Sequence, residues 1–162
     1  MKILGIDPGI GRCGWSVIDF QASKVKALGF GCIETSPKKE ISKRLEEVYE
    51  EISKIIQRYS PEALSIEELF FNTNAKTAFA VGQARGVILL AASQKNLEIS
   101  IYTPLQVKIA ITGYGRAEKD QIGKMVKTIL NLKEIPKPDD TADALAIALT
   151  HAFSAKIAKL SK

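Results

Sequence analysis

Lys2-Ile3-Leu4-Gly5-Ile6-Asp7-Pro8-Gly9 is an apolar run that meets an acid and then a turn. A run of this length, bounded by turn residues, reads as a buried strand, and Pro8-Gly9 bends the chain directly after Asp7. An acid therefore stands where a strand ends. Cys13 to Asp19 alternates as a second strand, and Val25 to Ile33 forms a third, whose glycines suit a twisted or bulged ladder. The short, turn-rich links between them predict an antiparallel meander.

Beyond the meander the period changes. Ile41, Leu45, Val48, Ile52, Ile55, Ile56 and Tyr59 recur at three- and four-residue steps within 38–59, which predicts an amphipathic helix ended by Ser60-Pro61. A short apolar strand follows at Ala63 to Glu67, then a small-residue helix from Asn74 to Lys95 and a strand from Glu98 to Tyr102. Pro104 opens a short helix to about Ile111, Ala117 to Leu130 forms another, and Asp140 to about Lys159 the last. Three antiparallel strands followed by alternating helices and strands make an α/β protein with a five-stranded mixed sheet flanked by helices. This order matches the ribonuclease H-like fold. In such sheets the functional crevice lies at the carboxyl ends of the parallel strands.

Composition narrows the classes. At 162 residues, 46% hydrophobic and 25% charged, the chain is the size of one globular domain, and no apolar run approaches the ~20 residues that span a bilayer. It lacks the pattern of a signal peptide and is expected to stay in the cytoplasm. Cys13 and Cys32 have no Cys-x-x-Cys spacing and a single histidine, His151, to assist them, so both are expected to be buried, reduced thiols rather than zinc ligands. The net charge of +5 leans toward a polyanionic partner.

Acids fall at the proposed crevice. Asp7 closes the first strand and Glu67 the fourth, while Asp140 and Asp143 open the last helix three residues apart, on one side of a turn. Singly, each has a plain structural place: a turn, a strand end, a helix N-terminus. Jointly, carboxylates converging from separate elements repel unless cations lie among them. Mg²⁺ or Mn²⁺ suits an all-oxygen set, and two such ions ~4 Å apart activate water and stabilise the leaving oxygen of a phosphodiester.

The motifs then extend along the chain. Gly5-Ile6-Asp7-Pro8-Gly9, Ile66-Glu67 with Phe70, Gly82-Gln83-Ala84-Arg85-Gly86, Gln106-Val107-Lys108, Ala117-Glu118-Lys119, and the run from Asp140-Thr141-Ala142-Asp143 to Ala148 resemble, in order and spacing, the blocks of the RuvC-type Holliday-junction resolvases. The resemblance covers about Ile3 to about Phe153. It implies a single RuvC-like nuclease domain over 1–162 that nicks opposed strands of a four-way DNA junction symmetrically, leaving 5′-phosphate and 3′-hydroxyl ends, in recombination and repair. It also implies catalytic and metal-binding roles for Asp7, Glu67, Asp140 and Asp143, with two Mg²⁺ per site and Mn²⁺ as substitute. Asp139 adjoins Asp140, and the spacing to Asp143 selects Asp140. Lys108 and Lys119 match family lysines near the cut, and Phe70 matches an aromatic that stacks on an unpaired base, with Phe71 packing inward. Arg85 is read as structural, in a region along which the family forms homodimers. The branch-migration proteins RuvA and RuvB are implied as partners.

Two other classes compete. Actin-like and sugar-kinase-like ATPases also open on Gly-x-Asp-x-Gly, but they need two such lobes, and this chain contains no repeat. A junction-binding protein without catalysis has no reason to carry all four acids. A ribonuclease H-like enzyme acting on RNA hybrids is disfavoured by Phe70 and the Gln83-Ala84-Arg85-Gly86 block.

Overall fold

The structure, a computed structural model, describes residues 1–69 and 75–160, and the side chains of these except 75–77 and 157–160. The elements are β1 (Lys2–Asp7), β2 (Arg12–Gln21), β3 (Lys24–Glu34), α1 (Ile41–Tyr59), β4 (Ala63–Glu67), α2 (Ala75–Gln94), β5 (Glu98–Tyr102), α3 (Pro104–Thr112), α4 (Lys119–Ile129) and α5 (Asp139–Leu160). Strand order is β3-β2-β1-β4-β5. The meander β1-β2-β3 is antiparallel, and β4 and β5 add in parallel beside β1. This is the five-stranded mixed sheet expected of a ribonuclease H-like fold.

Strand alternation divides the core in two. Leu4, Ile6, Val17, Leu64 and Ile66 point to one face, where Val48, Ile52 and Ile56 of α1 and Ile88 of α2 cover them. Ile3 and Ile18 point to the other, under Val107, Ile122, Val126, Leu145 and Leu149 from α3, α4 and α5. Each fully buried aliphatic side chain contributes about 1.5–3 kcal/mol relative to exposure. A one-residue slip would exchange the faces, so the apolar pattern holds the register.

That register places the strand-end acids. β1 and β4 pair from Ile3 with Ala63 to Ile6 with Ile66, so Asp7 and Glu67 follow that last pair side by side. Helix α5 lies unusually close to the sheet. A Cβ on Gly5 would stand 2.3 Å from the Ala144 carbonyl oxygen, and one on Gly14 would stand 1.9 Å from that of Asp140. Buried Ser16 and Ser65 donate hydrogen bonds to the carbonyls of Ala144 (2.9 Å) and Ile147 (2.8 Å), which ties the helix to two strands. The amino end of α5 is thereby pressed against β1 and β2.

Element boundaries move by a few residues. Helix α1 begins at Ile41 rather than Lys38, and α4 at Lys119 rather than Ala117. The second shift has a local cause: the Glu118 N–H donates to Gln121 Oε1 (2.9 Å), a capping contact that marks where the helix opens. Cys13 is buried as expected, but Cys32 is only half-buried, because β3 is the outer strand of the sheet. Trp15 and Tyr102 pack against the core, and His151 is buried, its Nδ1 3.0 Å from the Tyr102 hydroxyl. Among the described residues no helix is long and apolar enough to cross a membrane.

Candidate active site

Asp7, Glu67 and Asp143, from β1, β4 and α5, line one open cleft of about 260 Å³ with Lys108 and Lys119, over an apolar floor that includes Val107, Ile122 and Ile147. The lysines come from α3 and α4, which are held by capping contacts. Thr103 Oγ1 accepts from the Gln106 N–H (3.1 Å) while Gln106 Oε1 accepts from the Thr103 N–H (2.8 Å), fixing the start of α3 ahead of Lys108. A larger hollow of about 410 Å³ lies beside Trp15 and the acids of α1. Two of those acids, Glu47 and Glu51, already pair with surface lysines, so size does not mark the site here.

Electrostatics separates the cleft acids. Burial, reinforced by Asp143, Glu67 and Asp140, pushes the Asp7 carboxyl up to about 8, and only Lys119 opposes this. Burial and Asp143 likewise raise Glu67. Lys119 donates to Asp143 Oδ2 at 3.0 Å, and this contact raises the lysine above its ordinary value. Arg85, read as structural, has a definite place: its Nε donates to the Glu67 carbonyl oxygen at 3.3 Å and steadies the end of β4.

Asp140 stands beside the cleft rather than on its wall. It is close enough to raise Asp7, and its Oδ2 lies 3.3 Å from Arg12 Nε. That oxygen is buried, and the ion pair lacks the alignment of a hydrogen bond, so it has no hydrogen-bond partner. Asp139 is exposed and lines a neighbouring groove with Lys137. Phe70 and Phe71 lie outside the described residues. Sequence reasoning missed Arg12. Its nearness to the Asp7 motif was visible, but its partner on α5 emerges only once the helix is docked.

The donor set is entirely carboxylate oxygen, which suits a hard divalent ion. A half-buried Asp7 with acids around it and an Asp140 oxygen without a hydrogen-bond partner both favour added positive charge. Among the described residues, no three His, Cys, Asp or Glu side chains are grouped closely enough to hold an ion as they stand. The two α5 acids are each engaged by a cation, Asp140 by Arg12 and Asp143 by Lys119.

The family model described as crossover junction endodeoxyribonuclease RuvC matches residues 3–151. The chain belongs to the RuvC family. Its RuvC relatives include the crossover junction endodeoxyribonuclease of Finegoldia magna, 51% identical over all 162 residues and 99% of that protein. That of Caldicellulosiruptor saccharolyticus is 55% identical over 155 residues, covering 95% of this chain and 93% of the relative. Among solved structures, Thermus thermophilus RuvC superposes with a TM-score of 0.90 at 40% identity, over 98% of this chain and 97% of that one. The same RuvC in complex with a Holliday junction substrate gives 0.89 at 37% identity, over 97% and 96%. The ribonuclease H-like sheet is thus that of RuvC.

Proposed function

We propose that this chain resolves four-way DNA junctions as a homodimer, by metal-dependent nicking of two opposed strands. The observation that carries the reading is the convergence of Asp7, Glu67 and Asp143 from three elements on one cleft with Lys108 and Lys119. Asp7 and Glu67, with Asp143 and Asp140, would hold two Mg²⁺ ions, for which Mn²⁺ substitutes. Bound there, the ions supply an activated water and charge stabilisation for the leaving oxygen of the phosphodiester. The charges of the other three acids all act on Asp7, which supports its place at the centre of the set that would hold the metal.

The chain's own groups do the rest. Lys108 and Lys119 hold the phosphates of the strand, and the first-turn N–H groups of α4 favour the same anion. The apolar floor of Val107, Ile122 and Ile147 screens the cleft charges less than water would, which strengthens each charge. Phe70 stacks on a base unpaired at the junction. A relative solved with a Holliday junction substrate supports the substrate assignment.

The homodimer is supported by α2. Phe79 and Leu90 are exposed large apolar side chains on that helix, 69% and 51% accessible, and nothing packs near the Gly86 Cβ position between them. A two-fold pair joined here would present two cleavage centres to a nearly two-fold junction. Family membership supports work with RuvA and RuvB, in the cytoplasm.

The test is cleavage of a synthetic mobile four-way junction against linear duplex, in Mg²⁺ and in chelator, by the wild type and Asp7→Asn. Paired symmetric nicks confined to the junction, and lost in the variant while binding persists, are the expected outcome. Equal cutting of duplex, or a variant that still cuts, would overturn it. Binding without cutting by the wild type would instead favour a junction-binding protein.

A further inference from the structure

We propose that Arg12 is a DNA-phosphate contact, held by Asp140 in the free protein and released to the strand when divalent ions occupy the acids; this rests on the metal-dependent nuclease reading above. The two acids at the start of α5 are each engaged by a cation from another element. Asp143 meets Lys119 at 3.0 Å, and Asp140 meets Arg12 at 3.3 Å. β2, which carries Arg12, and β4, which carries Glu67 on the Lys119 side, lie on either side of β1. Arg12 thus reaches the acids from the β2 side, while Lys119 stands with Glu67 on the β4 side.

Arg12 is built for a second partner. More than half of its side chain is exposed, whereas the Asp140 oxygen it faces is buried. The contact is not aligned as a hydrogen bond, so the guanidinium keeps donors for a bidentate phosphate contact. Its base is rigid. The Thr35 N–H donates to the Gly11 carbonyl (3.0 Å), the Thr35 hydroxyl donates to the Ile10 carbonyl, and Arg44 Nε donates to Thr35 Oγ1 (2.9 Å). The turn before Arg12 is thus tied to β3 and α1.

Asp140 cannot serve a guanidinium and a divalent ion equally. An ion at the carboxylate weakens its hold on Arg12 and repels the guanidinium, while a backbone phosphate nearby attracts it. Metal and DNA affinity are then coupled through this one side chain, and by linkage each strengthens the other.

The test measures junction affinity of the full chain across a range of salt, for wild type, Arg12→Gln and Arg12→Lys, in chelator and in Ca²⁺, which replaces Mg²⁺ as an oxygen-seeking ion. In Ca²⁺, Arg12→Gln is expected to bind about three- to tenfold more weakly, with the slope of log affinity against log salt reduced by about one. Arg12→Lys should recover most of that slope, which a purely structural role would not restore. In chelator, wild type and Arg12→Gln should match. An unchanged slope in Ca²⁺, or an equal loss with and without the ion, would overturn the proposal. A wild type with no preference for junction over duplex would instead sink the nuclease reading itself.

Discussion

The four acids form two pairs with opposite electrostatic circumstances. Asp7 and Glu67 end parallel strands, are largely withdrawn from water, and are pushed upward by burial. Asp140 and Asp143 open α5, where the helix dipole favours negative charge, and each faces a cation from another element. The difference teaches where strain is stored. The backbone of the strand pair is fixed on both sides by the sheet, so its side chains remain in a crowded, half-buried position, whereas the helix pair is relieved by Arg12 and Lys119. Asp7 is the carboxyl whose ionisation the protein's own cations offset least, so it gains most from an added cation.

The sharpest way to break this contrast is to neutralise its centre. Asp7→Asn should lower the rate of junction cleavage by about three orders of magnitude, near 4 kcal/mol of barrier, read as nicked product under single-turnover conditions. The same substitution should stabilise the metal-free fold. Because the folded Asp7 titrates near 8 against an ordinary 3.8, the folded chain keeps a proton between those values that the unfolded chain has released. Stability in chelator therefore falls as pH rises from about 4 to about 8, and Asp7→Asn removes that decline. We expect about 3 kcal/mol at pH 8, the linkage value reduced for the part of the side chain still in water, measured by denaturant unfolding. Added Mg²⁺ should flatten the wild-type pH profile.

The close seat of α5 can be attacked next. A Cβ at Gly14 would collide with the Asp140 carbonyl, so Gly14→Ala should destabilise the fold by about 1–3 kcal/mol and move the helix acids away from the strand acids. Metal affinity measured by Mn²⁺ titration calorimetry should fall with it. The smallest effect belongs to the relieved pair. Asp143→Asn removes an ion pair with the exposed Lys119, and metal-free stability should change by less than about 1 kcal/mol, while cleavage is still lost. A gain comparable with that of Asp7→Asn would erase the contrast.

Much of this arrangement was legible beforehand, for reasons that differ by residue. Asp7 and Glu67 could be read because a strand-end acid after an apolar run is a local pattern, and parallel neighbours bring such ends together. Helix α5 was legible because its small and apolar residues run unbroken from Ala144 to Leu149. The choice between Asp139 and Asp140 rested on spacing, and the docked helix now shows Asp139 exposed and Asp140 half-buried beside Asp7. Cys32 was misjudged because burial of an apolar residue depends on whether its strand is inner or outer, which strand order alone reveals. Arg12 and the Lys119–Asp143 pair were beyond local reading, since each joins elements far apart in the chain.

By itself, the sequence determined the element order, the two-faced sheet and the strand-end acids, because periodicity and turn chemistry act over a few residues and leave their mark in the local pattern. The tertiary structure alone decided which cation answers which acid and how tightly α5 sits on the sheet. Those outcomes depend on distances between remote segments, set by the missing side chains of Gly5 and Gly14 and by the serine hydroxyls that hold α5 against β2 and β4.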